Sequence, residues 1–216
     1  MRHPLARALL LLTVSTGLVD AVSYLGLGRV FTANMTGNVV LLGFGIAGTA
    51  GLPVVAPLVS LGAFLAGSGI GGALAHRADD RAPMLRLALG LEAALILAAA
   101  LVAAIADVHP GTLAGDTVIA LLALAMGTRN ATARRLAVPD LTTTVLTMTL
   151  TGLAADSRLA GGSGQGSARR IAAALAMLAG AVAGALLLEI SLVVPLLGAS
   201  ALALVAEISQ RPGQDG

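Results

Sequence analysis

The sequence predicts an all-α membrane protein, with six transmembrane helices plus two re-entrant segments in a 3+3 inverted-topology repeat, all within one polytopic domain covering residues 1–216. Three observations predict it. Of the 216 residues, 57% are hydrophobic and only 11% charged, and the mean hydropathy is +0.93; a soluble domain carries roughly a quarter charged residues. Six apolar runs approach or exceed the roughly 20 residues that a bilayer crossing requires. The halves of the chain, about 5–106 and 114–207, also share a pattern of small and polar residues at an offset near 111.

The first run, about 5–26, follows Arg2 and Arg7 and resembles a signal sequence ending at Val19-Asp20-Ala21. An Asp just before a cleavage site is unusual, so a retained first helix is expected. Residues 28–50 open with a polar, Thr-rich stretch and end in about a dozen more apolar positions, a shorter apolar run than the six full-length ones. Full-length runs follow at about 54–75 and 84–106, separated by the Arg-rich loop around Arg77 and Arg81. The second half repeats the order: a full run at about 114–135, a short Thr-rich segment at 136–156, a Gly-rich linker at 161–166, then runs at about 169–189 and 190–207.

Arginine placement selects between topologies. If both short segments enter and leave on one side, Arg2, Arg7, Arg77, Arg81, Arg86, Arg134, Arg135, Arg158, Arg169, Arg170 and Arg211 share the inner side. Arg29 alone is then outside and Arg129 within the membrane. That is the bias that the positive-inside rule requires, and eight simple spans lose it. The expected location is therefore the bacterial cytoplasmic (inner) membrane, multi-pass, with both termini cytoplasmic. Seven spans remain open, since one short segment can cross with tilt.

The repeat rests on three matches in the same order. Gly17-Leu18-Val19-Asp20-Ala21 corresponds to Gly127-Thr128-Arg129-Asn130-Ala131, and Met35-Thr36-Gly37-Asn38 falls near Leu146-Thr147-Met148-Thr149. Ala63-Phe64-Leu65-Ala66-Gly67 with Gly71 corresponds to Ala176-Met177-Leu178-Ala179-Gly180 with Gly184. Three crossings per half turn the second half upside down relative to the first. Inverted repeats in transporters put the site near the midplane, where broken helices present their ends.

Several function classes are excluded or disfavoured. With no Cys there are no disulfides, thiol nucleophiles or thiolate metal sites. The pI of about 10.4 reflects a net charge of only +2; with no basic stripe and few aromatics there is no nucleic-acid surface. Gly67-Ser68-Gly69-Ile70-Gly71-Gly72 fits G-x-G-x-x-G, but it lacks the preceding strand that a dinucleotide site needs. Small residues at four-residue spacing instead favour close helix packing, so the Gly67/Gly71 and Gly180/Gly184 faces are candidate surfaces for a homo-oligomer. His3, His76 and His109 lie in tails or loops, away from any intramembrane site. No enzymatic activity, metal or cofactor is expected.

Phe31-Thr32-Ala33-Asn34-Met35-Thr36-Gly37-Asn38 is the most informative stretch. Asn and Thr favour N-caps, so a helix beginning near Thr36, capped by Asn34 or Thr36, would turn its positive end into the membrane. The alternative is a polar external loop before a short ordinary helix. Its counterpart, Pro139-Asp140-Leu141-Thr142-Thr143-Thr144, begins with a helix-starting Pro and gathers three hydroxyls.

Asp20, Glu92 and Arg129 are the ionisable residues furthest from the expected helix ends. A charge at bilayer depth costs at least ~2.5 kcal/mol, so such residues face a bundle interior or cavity and have partners. The repeat puts Asp20 and Arg129 at adjacent equivalent positions, which predicts an ion pair between them. Asp20 reads equally as a structural acid or as the group that couples transport to protons. Glu92, Glu189 and Glu207 read as structural or interfacial.

GLVDAVSYL, FTANMTGNVVLLG, MGTRNATARRL and PDLTTTVLTMTLTGLA resemble the signature blocks of the YoaK-like family of bacterial integral membrane proteins, over nearly the whole chain. The ANMTGN block is the most specific. In that family the second half usually carries Gln where this chain has Arg129, and Thr-Gly where it has Thr147-Met148. The resemblance implies a membrane domain of unknown function, with members sometimes described as exporters of small metabolites.

Together these readings lead to a small-solute transporter or exporter in the lipid bilayer, with proton coupling as an option. Solute contacts are expected from Asn34, Thr36, Gly37 and Asn38 in one half and from Thr143, Thr144, Thr147 and Thr149 in the other, with Asp20 and Asn130 flanking them. The alternative is a non-transporting membrane scaffold or accessory subunit whose Gly-rich faces dock partner helices.

Overall fold

A computed structural model describes residues 4–77, 81–136 and 146–210, and every regular element among them is helical. Helix α1 (Pro4–Ala21) runs on into a π-helical turn at Val22–Gly26. After it come α2 (Met35–Ile46), α3 (Val55–Arg77), α4 (Arg81–Ile105) and α5 (Leu113–Leu136). The last three are α6 (Leu146–Ala155), α7 (Ser167–Leu188) and α8 (Val193–Ile208).

Among the described residues, four helices are long and apolar enough to cross a membrane: Arg7–Gly26, Val55–Arg77, Pro83–Ile105 and Ser167–Leu188. Helix α5 has the length, at 24 residues, but carries Asp116, Arg129, Arg134 and Arg135. Helix α8, at 16 residues, is roughly 24 Å long against a hydrocarbon core of about 30 Å. Helices α2 and α6 have only 12 and 10 residues.

Close crossings of small residues set the frame. A Cβ on Gly180 would run into the carbonyl of Val14, and one on Gly17 into the carbonyl of Met177. Likewise a Cβ on Gly67 would meet the Leu124 carbonyl, and one on Gly127 the Phe64 carbonyl. Only glycine lets the backbones of α1 and α7, and of α3 and α5, approach so closely. The Gly67/Gly71 and Gly180/Gly184 faces, expected to be free for a homo-oligomer, are therefore covered within the chain, by α5 and α1 respectively. Apolar solvent offers helices little drive to associate, so backbone contact of this kind supplies the packing that it lacks.

The contacts also fix helix directions. Gly180 lies against Val14 and Gly184 against Leu18, so α1 and α7 run the same way. Gly67 lies against Leu124 and Gly71 against Thr128, so α3 and α5 do too. Helices α4 and α8 run oppositely: Arg86 Nε pairs with Glu207 Oε1 at 3.5 Å, while Ser200 Oγ donates to the Ala93 carbonyl at 2.9 Å. Helix α1 also packs on α8, as α5 packs on α4, and α2 and α6 rest on α3 and α7. Most of α1 is enclosed by these neighbours. Its Leu18 and Val19, with Val22 of the π-helical turn, share one apolar core with Ile96 of α4, Ile119 and Leu122 of α5 and Leu196 of α8.

Candidate functional site

Between α1 and α2 the chain turns at Gly28 and Arg29, where φ is 98° and 61°. It does not stay at the surface: Leu27, Val30, Thr32 and Ala33 are all buried. Three side chains hold this returning stretch. Asp20 Oδ1 accepts from the backbone N–H groups of Thr32 at 3.3 Å and Ala33 at 3.2 Å. Asn38 Oδ1 accepts from the Phe31 N–H at 2.9 Å, and its Nδ2 donates to the Phe31 carbonyl at 2.6 Å and to Ser60 Oγ at 3.0 Å. Ser60 Oγ donates in turn to the Phe31 carbonyl at 2.7 Å. Asn34 then caps α2, its Oδ1 accepting from the Gly37 N–H at 3.3 Å. The cap falls where the sequence reading put it.

A cavity of about 450 Å³ opens beside this stretch, within the range of small-molecule sites. Its walls come from five places: Thr16, Asp20 and Ala21 of α1; Tyr24 and Leu25 of the π-helical turn; Phe31, Ala33 and Asn34; Leu146 and Thr147 at the start of α6; and Met177 and Ala181 of α7. Thr16, Asp20 and Tyr24 recur at four-residue spacing, which puts them along one side of a helix. A π-helical turn shifts the register of the residues after it, and such turns are frequent at functional sites. The rings of Tyr24 and Phe31 stack, with centroids 4.8 Å apart and planes at 25°.

Of the expected solute contacts, Asp20, Asn34 and Thr147 line this cavity, and the beginnings of α2 and α6 meet across it. Thr36, Gly37 and Asn130 lie outside its lining, as do Asn38 and Thr149, which are buried. Asn38 instead fixes the Phe31 peptide, and through it the ring in the cavity wall. Thr143 and Thr144 lie outside the described residues. Thr16, Tyr24, Phe31 and Met177 are not among the solute contacts expected from the sequence, although Tyr24 is the only Tyr in the chain and Phe31 one of three Phe.

The expected Asp20–Arg129 ion pair is overturned. Arg129 Nη1 pairs with Glu92 Oε1 at 2.9 Å and also donates to the Leu12 carbonyl at 3.0 Å. Its Nη2 donates to Thr16 Oγ1 at 2.6 Å. Glu92 on α4 is fully enclosed and faces α5 directly, so it captures the guanidinium. Asp20 looks the other way, toward the 31–34 stretch, and has no ion-pair partner among the described residues. No cluster of three or more metal-ligating side chains occurs among those residues.

Comparison with known proteins gives two matches. A family model described as "Protein of unknown function (DUF1275)" matches residues 8–208. The "UPF0700 transmembrane protein YoaK" of Bacillus subtilis (strain 168) is 35% identical over 151 residues, or 68% of this chain and 64% of the relative. The match thus spans less than two thirds of that relative's length. No solved structure matches. With apolar helices of membrane-spanning length packed around it, and a transmembrane protein as its relative, this chain is a multi-pass membrane protein that belongs to the DUF1275 family of proteins of unknown function.

Proposed function

We propose that the chain is a small-solute transporter or exporter of the bacterial inner membrane, not an enzyme, with both termini cytoplasmic. In this reading α1, α3, α4, α5, α7 and α8 cross the bilayer, and α2 and α6 are re-entrant, in a 3+3 inverted repeat. Helix directions support it. Helices α1, α4 and α7 run one way and α3, α5 and α8 the other, given the short connections that join α4 to α5 and α7 to α8. With α1 and α3 opposed, the segment holding α2 starts and ends on one side, and the same holds for α6 between α5 and α7. The pairing of α1 with α7 through Gly17 and Gly180 matches that of α5 with α3 through Gly127 and Gly67, as a two-fold repeat requires.

The observation that carries the transport reading is the cavity of about 450 Å³ where Asp20, the capped start of α2 and the start of α6 converge. Irregular backbone at membrane depth is tolerated only where it lines protein or a water-filled cavity, and a buried acid there is by default a functional group. Proton coupling in this reading runs through Asp20. Of the Gly-rich faces on which the scaffold alternative depends, Gly67/Gly71 and Gly180/Gly184 are covered within the chain.

Proteoliposomes holding the purified chain, assayed with a radiolabelled panel of amines, amino acids, sugars and carboxylates, test this directly. Flux above empty vesicles is expected for at least one class. Thr147→Trp places bulk in the cavity from an exposed position on α6 and is expected to block it. No flux for any class, or full flux in Thr147→Trp, would contradict the reading.

A further inference from the structure

Asp20 does more than its loop contacts require. A single oxygen, Oδ1, accepts both backbone N–H groups, from Thr32 and Ala33. An amide oxygen would make the same two contacts, and the repeat-equivalent position in the other half carries Asn130. The second carboxylate oxygen, Oδ2, takes no hydrogen bond among the described residues, although Asp20 is only 6% exposed and lines the cavity. Arg129 forms its ion pair with Glu92 and not with Asp20. The N–H groups just ahead of α2, where that helix's positive end lies, are already engaged by Asp20, so this terminus has its anion in place.

The remaining walls are chosen to match. The chain has only one Tyr and three Phe, yet Tyr24 and Phe31 stack at this cavity beside Asp20. Aromatic faces attract cations, more strongly when desolvated. Beside the polar Thr16, Asn34 and Thr147, the apolar residues Ala21, Leu25, Ala33, Leu146, Met177 and Ala181 complete a lining that is mainly apolar. A carboxylate oxygen, an aromatic pair and an apolar wall in one small cavity recognise a cationic head with a hydrocarbon body.

We infer that the cavity takes a small monovalent organic cation, an alkylamine or quaternary ammonium compound, with its charged head between Asp20 Oδ2 and the Tyr24–Phe31 pair. This inference rests on the transport reading of the same cavity and names its solute class.

With no Trp and one Tyr, the intrinsic fluorescence of the full chain comes from Tyr24. The purified chain in detergent is titrated with choline, with its uncharged isostere 3,3-dimethylbutan-1-ol, and with the anion 3,3-dimethylbutanoate at matched ionic strength. Choline is expected to change Tyr24 emission saturably, at a concentration at least about tenfold below that of the alcohol, with no response to the anion. In Asp20→Asn, checked for fold by gel filtration and helical circular dichroism, the difference should shrink to about twofold or less. Should Asp20→Asn misfold, Phe31→Leu carries the test: it is expected to weaken choline several-fold and to leave the alcohol nearly unaffected. Equal response to choline and alcohol, tighter response to the anion, or no response to choline would each overturn the inference. Flux of another solute class in proteoliposomes would then leave the transport reading standing, whereas choline binding without flux of any class would retain the cation site and remove transport.

Discussion

Glu92 and Asp20 are both acids buried in helices of membrane-spanning length, and the molecule treats them in opposite ways. Glu92 is fully enclosed on α4 and faces Arg129 of α5 at 2.9 Å, so the pair is neutral and ties α4 and α5 to the Leu12 carbonyl and Thr16 hydroxyl of α1. Asp20 has no cationic partner among the described residues and borders a cavity. The difference teaches that burial alone does not mark a functional charge in a membrane. What separates the two acids is whether the neighbouring helices neutralise the charge or leave it facing open space.

The comparison is broken most severely by removing Arg129. Arg129→Leu leaves Glu92 buried without a partner, and breaking a buried pair in this way costs about 3–5 kcal/mol. The folded protein should be largely lost, as read by yield and melting temperature. Replacing both partners, Glu92→Met with Arg129→Leu, should recover most of that loss, because an apolar pair of similar volume is often neutral or stabilising. Glu92 Oε2 and Arg129 Nε lack hydrogen-bond partners among the described residues, so the native pair is itself incompletely satisfied.

Asn38→Ala is next. It strips the Phe31 N–H and carbonyl of their Asn38 contacts in a buried site, a loss of about 1–3 kcal/mol. It should also loosen the Tyr24–Phe31 stack, visible as altered Tyr24 emission. Thr16→Val touches both regions, since Thr16 accepts from Arg129 and lines the cavity. Its cost should be smaller, about 1 kcal/mol, because Arg129 keeps Glu92 and the Leu12 carbonyl. Thermal melting of the three single variants, Arg129→Leu, Asn38→Ala and Thr16→Val, in one detergent ranks them.

Much of this architecture was legible in the sequence because a bilayer imposes length and hydropathy on each helix. The runs at 54–75, 84–106, 114–135 and 169–189 correspond to α3, α4, α5 and α7 with bounds differing by three residues at most. Local backbone chemistry narrowed the cap of α2 to Asn34 or Thr36, and the structure has Asn34. The partner of Arg129 did not, since Asp20 and Glu92 are both acids at membrane depth and only the packing of α4 on α5 decides between them. The roles of Gly67 and Gly180 were half legible: spacing announced a close helix contact, but whether that contact lay within the chain or between copies depends on topology. Asn38 looked like a solute ligand because a polar residue in an apolar setting always does. Its position behind Phe31 is a property of the returning loop, which no periodicity describes.

The central claim is that Asp20 serves a solute while Glu92 serves the fold. Asp20→Asn and Glu92→Gln, measured side by side for melting temperature in detergent and for flux in proteoliposomes, test it most directly. Asn at position 20 keeps an oxygen for the Thr32 and Ala33 N–H groups, so Asp20→Asn should cost less than about 1 kcal/mol and melt close to the parent while losing flux. Glu92→Gln leaves Arg129 without its counter-charge and should melt far below both. An Asp20→Asn protein that transports like the parent, or that melts as low as Glu92→Gln, would contradict the claim.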